Sequence, residues 1–159
     1  MKRELEINGK DILVVGLARS GVAAARFLSE RGARVTVTDS KPPAQLQKEI
    51  CALPQSVRLA LGGHEMDDFT SADFIVLSPG VPARLPQIQQ ARKRGVPVYA
   101  ELELAYRFLQ GRIIGITGSN GKTTTTALIG RLFEDSGRPH IVAGNIGVPL
   151  IQFVGWGQV

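Results

Sequence analysis

Seven consecutive residues, Gly118-Ser119-Asn120-Gly121-Lys122-Thr123-Thr124, combine the residue types that hold and activate a phosphate. Its glycines free the backbone to turn N–H groups toward an anion. Before it, Ile113-Ile114-Gly115-Ile116-Thr117 predicts a strand, and after it Thr125 to Leu132 predicts a helix. In that order the helix N-terminus offers unpaired donors and the positive end of its dipole to a ligand. Lys122 would reach the β- and γ-phosphates, and the Thr123 hydroxyl is placed for Mg²⁺, so the expected ligand is a Mg-nucleoside triphosphate. The usual G-x-x-x-x-G-K-[ST] spacing is not strictly met: Ile116 stands where the first glycine belongs, flanked by Gly115 and Gly118.

A second glycine run lies near the N-terminus. Gly16, Ala18 and Gly21 occupy the places of the dinucleotide fingerprint G-x-G-x-x-G, with alanine replacing the middle glycine that lets a pyrophosphate approach closely. Asp39 ends a predicted strand, where a ribose-binding acid would sit. NAD is therefore one candidate ligand, weakened by Ala18, and Asp39 also reads as an ordinary strand-end turn residue. Other polar residues suggest less. His64 reads as a loop histidine without a second metal ligand at suitable spacing, and His140 as the start of a strand. Cys51 reads as a small buried or half-buried residue. Glu101 and Glu103 read as helix-start acids favoured by the dipole, and Asp67-Asp68 as a solvated turn.

The elements that must position these residues alternate in type. Strands are predicted at Ile12–Val15, Arg34–Thr38, Val57–Leu61, Phe74–Leu77 and Val96–Tyr99. Helices are predicted at Ser20–Arg31, from Pro42-Pro43 to about Leu53, at Pro86–Arg94 and at Glu101–Leu109, with Ser78-Pro79-Gly80 as a turn. This order predicts a Rossmann-like, doubly wound α/β parallel sheet over residues 1–110. A new strand–loop–helix unit begins after Gly111, its helix ending near Gly137 and a further strand at His140–Ala143. Residues 111–159 are expected to be the start of a P-loop ATPase-type domain, too short to cover its own sheet. The chain is thus expected to be a fragment.

Composition narrows the classes. Of 159 residues, 43% are hydrophobic and 21% charged, as in ordinary globular domains. A single cysteine excludes an intramolecular disulfide and fits a reducing cytosol. There is no apolar run long enough to span a bilayer, so membrane insertion is not expected. The net charge of +5 is scattered; Arg92-Lys93-Arg94 cluster where cations complement a helix C-terminus and sit in water. With 6% aromatic residues and no interleaving of aromatic with basic positions, nucleic acid is not an expected partner.

The Gly118–Thr124 loop resembles the ATP loop of the Mur ligases, the ATP-dependent amino-acid ligases of peptidoglycan precursor synthesis. Gly16-Leu17-Ala18-Arg19-Ser20-Gly21, Ser78-Pro79-Gly80-Val81-Pro82, Glu101-Leu102-Glu103-Leu104 and Gly144-Asn145-Ile146-Gly147 are similar to the D-glutamate-adding branch. The resemblance implies that ATP phosphorylates the carboxylate of UDP-N-acetylmuramoyl-L-alanine and that D-glutamate attacks the acyl phosphate. It implies ATP and Mg²⁺ as cofactors, with Lys122 catalytic, Gly118 to Thr124 on ATP, and Thr123 on the metal. It places Gly16, Leu17, Ala18 and Asn145 toward the pyrophosphate, Asp39, Ser40 and Lys41 at the uridine end, and Gly80 beside the uracil. A cytoplasmic location follows from the same resemblance. The family's further Mg²⁺ acid, histidine, carbamylated lysine and amino-acid-binding domain map to nothing here, so this chain is expected to lack ligase activity alone. Two other readings stay open: a UDP-sugar or dinucleotide-binding module without chemistry, and a Mur ligase for a different amino acid.

Overall fold

The computed structural model describes residues 5–144 and 147–155. Five short segments become strands: β1 (Asp11–Val15), β2 (Arg34–Asp39), β3 (Arg58–Leu61), β4 (Phe74–Leu77) and β5 (Val98–Ala100). They form one parallel sheet in the order β3-β2-β1-β4-β5. Parallel strands need long crossovers, which the helices supply. These are α1 (Arg19–Ser29), α2 (Gln47–Cys51), α3 (Met66–Ser71), α4 (Pro86–Lys93), α5 (Glu101–Phe108) and α6 (Lys122–Asp135).

Alternation along the strands divides the core. Ile12, Val14, Val35, Val37, Phe74 and Val76 pack on one face with Ala24, Phe27 and Leu28 of α1 and Leu104 and Ala105 of α5. Leu13, Val15, Ile75 and Leu77 pack on the other with Phe69 of α3 and Ile88 and Ala91 of α4. The central strands are buried on both faces, as a doubly wound sheet requires. The predicted α/β architecture is thus the one observed.

Several local expectations are corrected. The helix after Pro42 is broken into a 3-10 turn (Pro43–Gln45) and the single turn α2, because Leu46 between them leaves helical geometry at φ −123°. Asp67 and Asp68 lie in the first turn of α3, where acids meet the dipole, and Asp68 pairs with Arg58. Cys51 is exposed, at the end of a single-turn helix that buries none of its residues. Arg92, Lys93 and Arg94 are exposed at the end of α4, as expected.

The larger correction concerns residues 111–144. Neither Ile113–Thr117 nor His140–Ala143 forms a strand. A parallel strand exists only within its ladder, and among the described residues neither run has a partner. Helix α6 does form, with Gly121 at its N-cap and Gly137 (φ +65°) just beyond its end. Its Leu128 and Leu132 are exposed, as are Ile113, Ile114, Val142 and Val148. The chain then returns to the first sheet. A 3-10 turn at Leu150–Phe153 buries Ile151 in the same core cluster as α1 and α5.

Candidate functional site

The order β3-β2-β1-β4-β5 reverses direction between β1 and β4. In open α/β sheets such a switch point opens a crevice beyond the carboxyl ends of the strands. Both loops at this switch carry residues singled out from the sequence.

After β1 the chain turns through Gly16, at φ +92°, a conformation that L side chains rarely adopt. Gly16 N–H donates to Thr38 O at 2.8 Å. The first intrahelical bond of α1 runs from Val22 N to Ala18 O at 2.9 Å, so the N–H groups of Arg19, Ser20 and Gly21 have no acceptor within the helix. Gly21 lies so close to the loop that an added Cβ would stand 2.0 Å from Gly16 O. The first and third fingerprint glycines therefore serve turn and close packing. Ala18 is extended (φ −99°, ψ −174°), so its backbone does not require glycine.

Asp39 ends β2 and binds two loops together. One carboxylate oxygen accepts Leu17 N–H at 2.7 Å, and the other accepts Lys41 N–H at 2.9 Å. Ser40 and Lys41 are exposed beside it. After β4, Ser78-Pro79-Gly80-Val81 closes a turn with Val81 N–H on Ser78 O at 3.2 Å and Gly80 at φ +92°. Proline second and a left-handed glycine third is the type II pattern. Ser78 itself is buried and donates its hydroxyl to Gly16 O at 2.7 Å. The sequence marked Ser78 only as part of a turn; this link between the β1 and β4 loops spans 62 residues and has no local signal.

A cleft of about 200 Å³ opens at this switch point, lined by Ala18, Arg19, Ser20, Pro79, Gly144, Gly147 and Pro149. It joins the start of α1 to the chain that follows α6. Asn145 lies outside the described residues, between two of the lining glycines. A similar hollow at the opposite end of the sheet is lined by Asp11, Thr36, Arg58 and Asp68 among others. Arg58 and Asp68 are paired with each other there, and Asp11 is held by two bonds from Arg34 at 2.7 and 2.6 Å.

The Gly118–Thr124 loop is exposed. Gly118 (φ +149°) and Gly121 (φ +79°) both have positive φ; a Cβ at Gly118 would stand 3.6 Å from Asn120 O, and one at Gly121 would meet open space. The first bond of α6 runs from Thr125 N to Gly121 O at 2.9 Å, leaving the N–H groups of Lys122, Thr123 and Thr124 without intrahelical acceptors. The Lys122 ammonium folds over the loop and donates to Gly118 O and, at 3.1 Å, Ser119 O. These features fit a triphosphate and its Mg²⁺. Among the described residues no three His, Cys, Asp or Glu side chains converge as a metal site.

His64 sits in the loop after β3, as expected. Buried Thr38 donates its hydroxyl to Gly63 O at 3.0 Å and lies 2.9 Å from His64 Nδ1. Thr38 has one proton, so when it is given to Gly63 the imidazole must donate from Nδ1. The His64 ring meets Phe69 edge-on at 5.8 Å. His140 does not start a strand; its ring lies 5.8 Å from Phe133.

Residues 10–100 match the model for the Mur ligase MurD-like N-terminal domain. The chain belongs to the Mur ligase family. Residues 116–152 match the Mur ligase middle domain, the part holding the Gly118–Thr124 loop. The chain is 57% identical over 150 residues to the UDP-N-acetylmuramoylalanine–D-glutamate ligase of Anaeromyxobacter dehalogenans, an overlap of 94% of this chain and 32% of that one. It is 51% identical over 150 residues to the enzyme of the same name from Koribacter versatilis, covering 94% of this chain and 33% of that one. A pseudomurein peptide ligase type C from Methanothermus fervidus, a solved structure, is 27% identical with a TM-score of 0.49, over 81% of this chain and 27% of that one. This Mur ligase chain spans about a third of the length of the curated relatives it matches. Among its described residues no helix is long and apolar enough to cross a membrane.

Proposed function

We propose that this chain supplies the UDP-substrate-binding part, and the opening of the ATP-binding part, of a cytoplasmic ligase that adds D-glutamate to UDP-N-acetylmuramoyl-L-alanine with cleavage of ATP. Residues 1–110 form the first part and 111–159 begin the second. The observation that carries the reading is the cleft at the β1/β4 switch point, whose walls come from the start of α1 and from the segment after the phosphate loop and α6. Relatives that carry this activity by name, at 57% and 51% identity, support the choice of D-glutamate.

In this reading the unpaired N–H groups of Arg19, Ser20 and Gly21, with the dipole of α1, receive the pyrophosphate. Gly16, Leu17 and Ala18 set the approach, and Asn145 adds a contact from the far wall. Asp39, Ser40 and Lys41 border the uridine, with Gly80 beside the uracil. Asp39 serves first by fixing the backbones of Leu17 and Lys41. Gly118, Ser119, Asn120, Gly121 and Thr124 cradle the ATP phosphates. Lys122 leaves the carbonyls of Gly118 and Ser119 for the β- and γ-phosphates, neutralising charge on the transferring group. Thr123 would offer its hydroxyl to Mg²⁺, which would supply Lewis-acid stabilisation of the transferring phosphoryl group when bound.

The test is calorimetric titration of UDP-N-acetylmuramoyl-L-alanine into the chain, with NAD in parallel. The expected result is binding of the UDP-sugar and none of NAD. Binding of NAD alone would replace this reading with a dinucleotide module. ATP added to the chain with both substrates is expected to give no ADP, and turnover in a contaminant-free sample would refute that expectation.

A further inference from the structure

Glu101 is the one acidic side chain among the described residues that is buried, at 3% exposure. Acids are almost never buried this fully unless partnered. A place at the start of α5 explains an acid but not its burial: Glu103, in the same first turn, is exposed and pairs with Arg107 at 3.0 Å. The partner of Glu101 lies 50 residues away, where Oε1 accepts Ile151 N–H at 3.2 Å. Ile151 is 2% exposed and shares a core cluster with Leu104, Ala105, Phe27 and Leu28. Two residues before it, Pro149 is buried and lines the cleft beside Gly144 and Gly147. Pro149 also begins the turn that carries Ile151, with Gln152 N–H on Pro149 O at 3.2 Å. The wall opposite α1 is therefore anchored within two residues of a bond to Glu101.

We propose that Glu101 is a positioning residue for the substrate cleft: its carboxylate holds the Pro149–Phe153 segment against α1 and α5 and so sets the wall formed by Gly144, Gly147 and Pro149. The role rests on reading that cleft as the UDP-substrate site. Removing the acceptor leaves a buried N–H unpaired, and the segment gains its partner back only by moving out to water. A glutamine keeps an oxygen acceptor at the same reach, so it separates the bond from the charge.

The test uses the whole chain with wild type, Glu101→Ala and Glu101→Gln. Hydrogen exchange at the Ile151 amide is read without ligand, and the affinity for UDP-N-acetylmuramoyl-L-alanine is read by calorimetry. Glu101→Ala is expected to speed exchange at Ile151 and weaken binding, each about tenfold, the worth of one hydrogen bond. Glu101→Gln is expected to restore both to within about threefold of wild type. Unchanged exchange at Ile151 in Glu101→Ala overturns the proposal, as does faster exchange with unchanged affinity. If wild type does not bind the UDP-sugar, the reading of the cleft fails, and the exchange data still decide separately whether Glu101 holds the segment. Should Glu101→Ala fail to fold, Glu101→Gln remains decisive, because exchange at Ile151 as fast as in an unstructured segment would refute the acceptor role.

Discussion

Replacing Gly21 by alanine puts one methyl group where the fold has no room. The new Cβ would stand 2.0 Å from Gly16 O, 2.8 Å from Ser78 Oγ and 3.1 Å from Gly16 C. Real Cβ atoms essentially never come within 3.0 Å of such neighbours, so α1 and the Gly16 loop must part by about 1 Å. The obstruction is backbone, and that backbone is fixed twice, by Ser78 Oγ on Gly16 O and by Gly16 N–H on Thr38 O. Overpacking typically costs 1–3 kcal/mol, and a clash with a tethered carbonyl belongs at the upper end, about 3 kcal/mol. For a chain of this length each kcal/mol lowers Tm by roughly 2–4 °C, giving a fall of about 6–12 °C. Because Arg19 and Ser20 line the cleft, the affinity for UDP-N-acetylmuramoyl-L-alanine should fall as well. Gly80→Ala is the control for stability: it has φ +92° but open space at Cβ, so it should cost about 1–2 kcal/mol, from backbone strain alone. Thermal unfolding of both variants, followed by titration, decides the matter. A Gly21→Ala protein as stable as Gly80→Ala, with wild-type affinity, would refute the close-packing argument.

Further perturbations follow from single contacts. Asp39→Ala removes both acceptors of the β1–β2 loop link and should cost about 2 kcal/mol in chemical denaturation. Lys122→Met should leave Tm within about 1 °C, since the side chain is exposed, while weakening Mg-ATP binding at least about tenfold in a fluorescent-nucleotide titration. Burial pushes the Glu101 carboxyl above the usual carboxylate range, although the bond from Ile151 pulls it back. The folded state then holds this proton more tightly than the unfolded one, so stability falls as pH rises from the ordinary glutamate value through the raised one. Glu101→Gln should remove that slope, seen as a flatter plot of unfolding free energy from pH 4 to pH 7. Asp11 runs the other way: the bond from Arg34 lowers its pKa, so its contribution is lost as pH falls through the lowered value. This pair is exposed, so Asp11→Asn should reduce the acid sensitivity only slightly, and less at high salt.

The sheet was legible because each strand announces itself locally. Ile12 to Val15 and Phe74 to Leu77 are continuous apolar runs, buried on both faces in the fold. The glycine loops were legible because Gly16, Gly80, Gly118 and Gly121 occur where left-handed geometry is needed. What the sequence concealed is non-local. Ser78 on Gly16 and Glu101 on Ile151 join residues 62 and 50 apart, and nothing near either acid or hydroxyl in the chain marks its partner. The predicted strands at Ile113–Thr117 and His140–Ala143 have the right composition, but a strand is a property of a pair. Composition alone cannot supply the ladder.

The two helix starts at the heart of the proposal share one construction and differ in one respect. Each follows a left-handed glycine, Gly16 before α1 and Gly121 before α6, and each leaves three N–H groups without an intrahelical acceptor. Both can therefore receive a phosphate oxygen. At α6 the first two helical residues are Lys122 and Thr123, an exposed cation and a hydroxyl. At α1 the corresponding residues are Arg19 and Ser20, and Gly21 is pinned against the loop. A guanidinium is permanently charged and suits holding a phosphate in place, whereas a lysine point charge on a flexible stem can follow a phosphoryl group as charge redistributes. Under the proposed function, this side-chain chemistry would divide the two ends, α1 suiting a phosphate held unchanged and α6 a phosphoryl group in transfer.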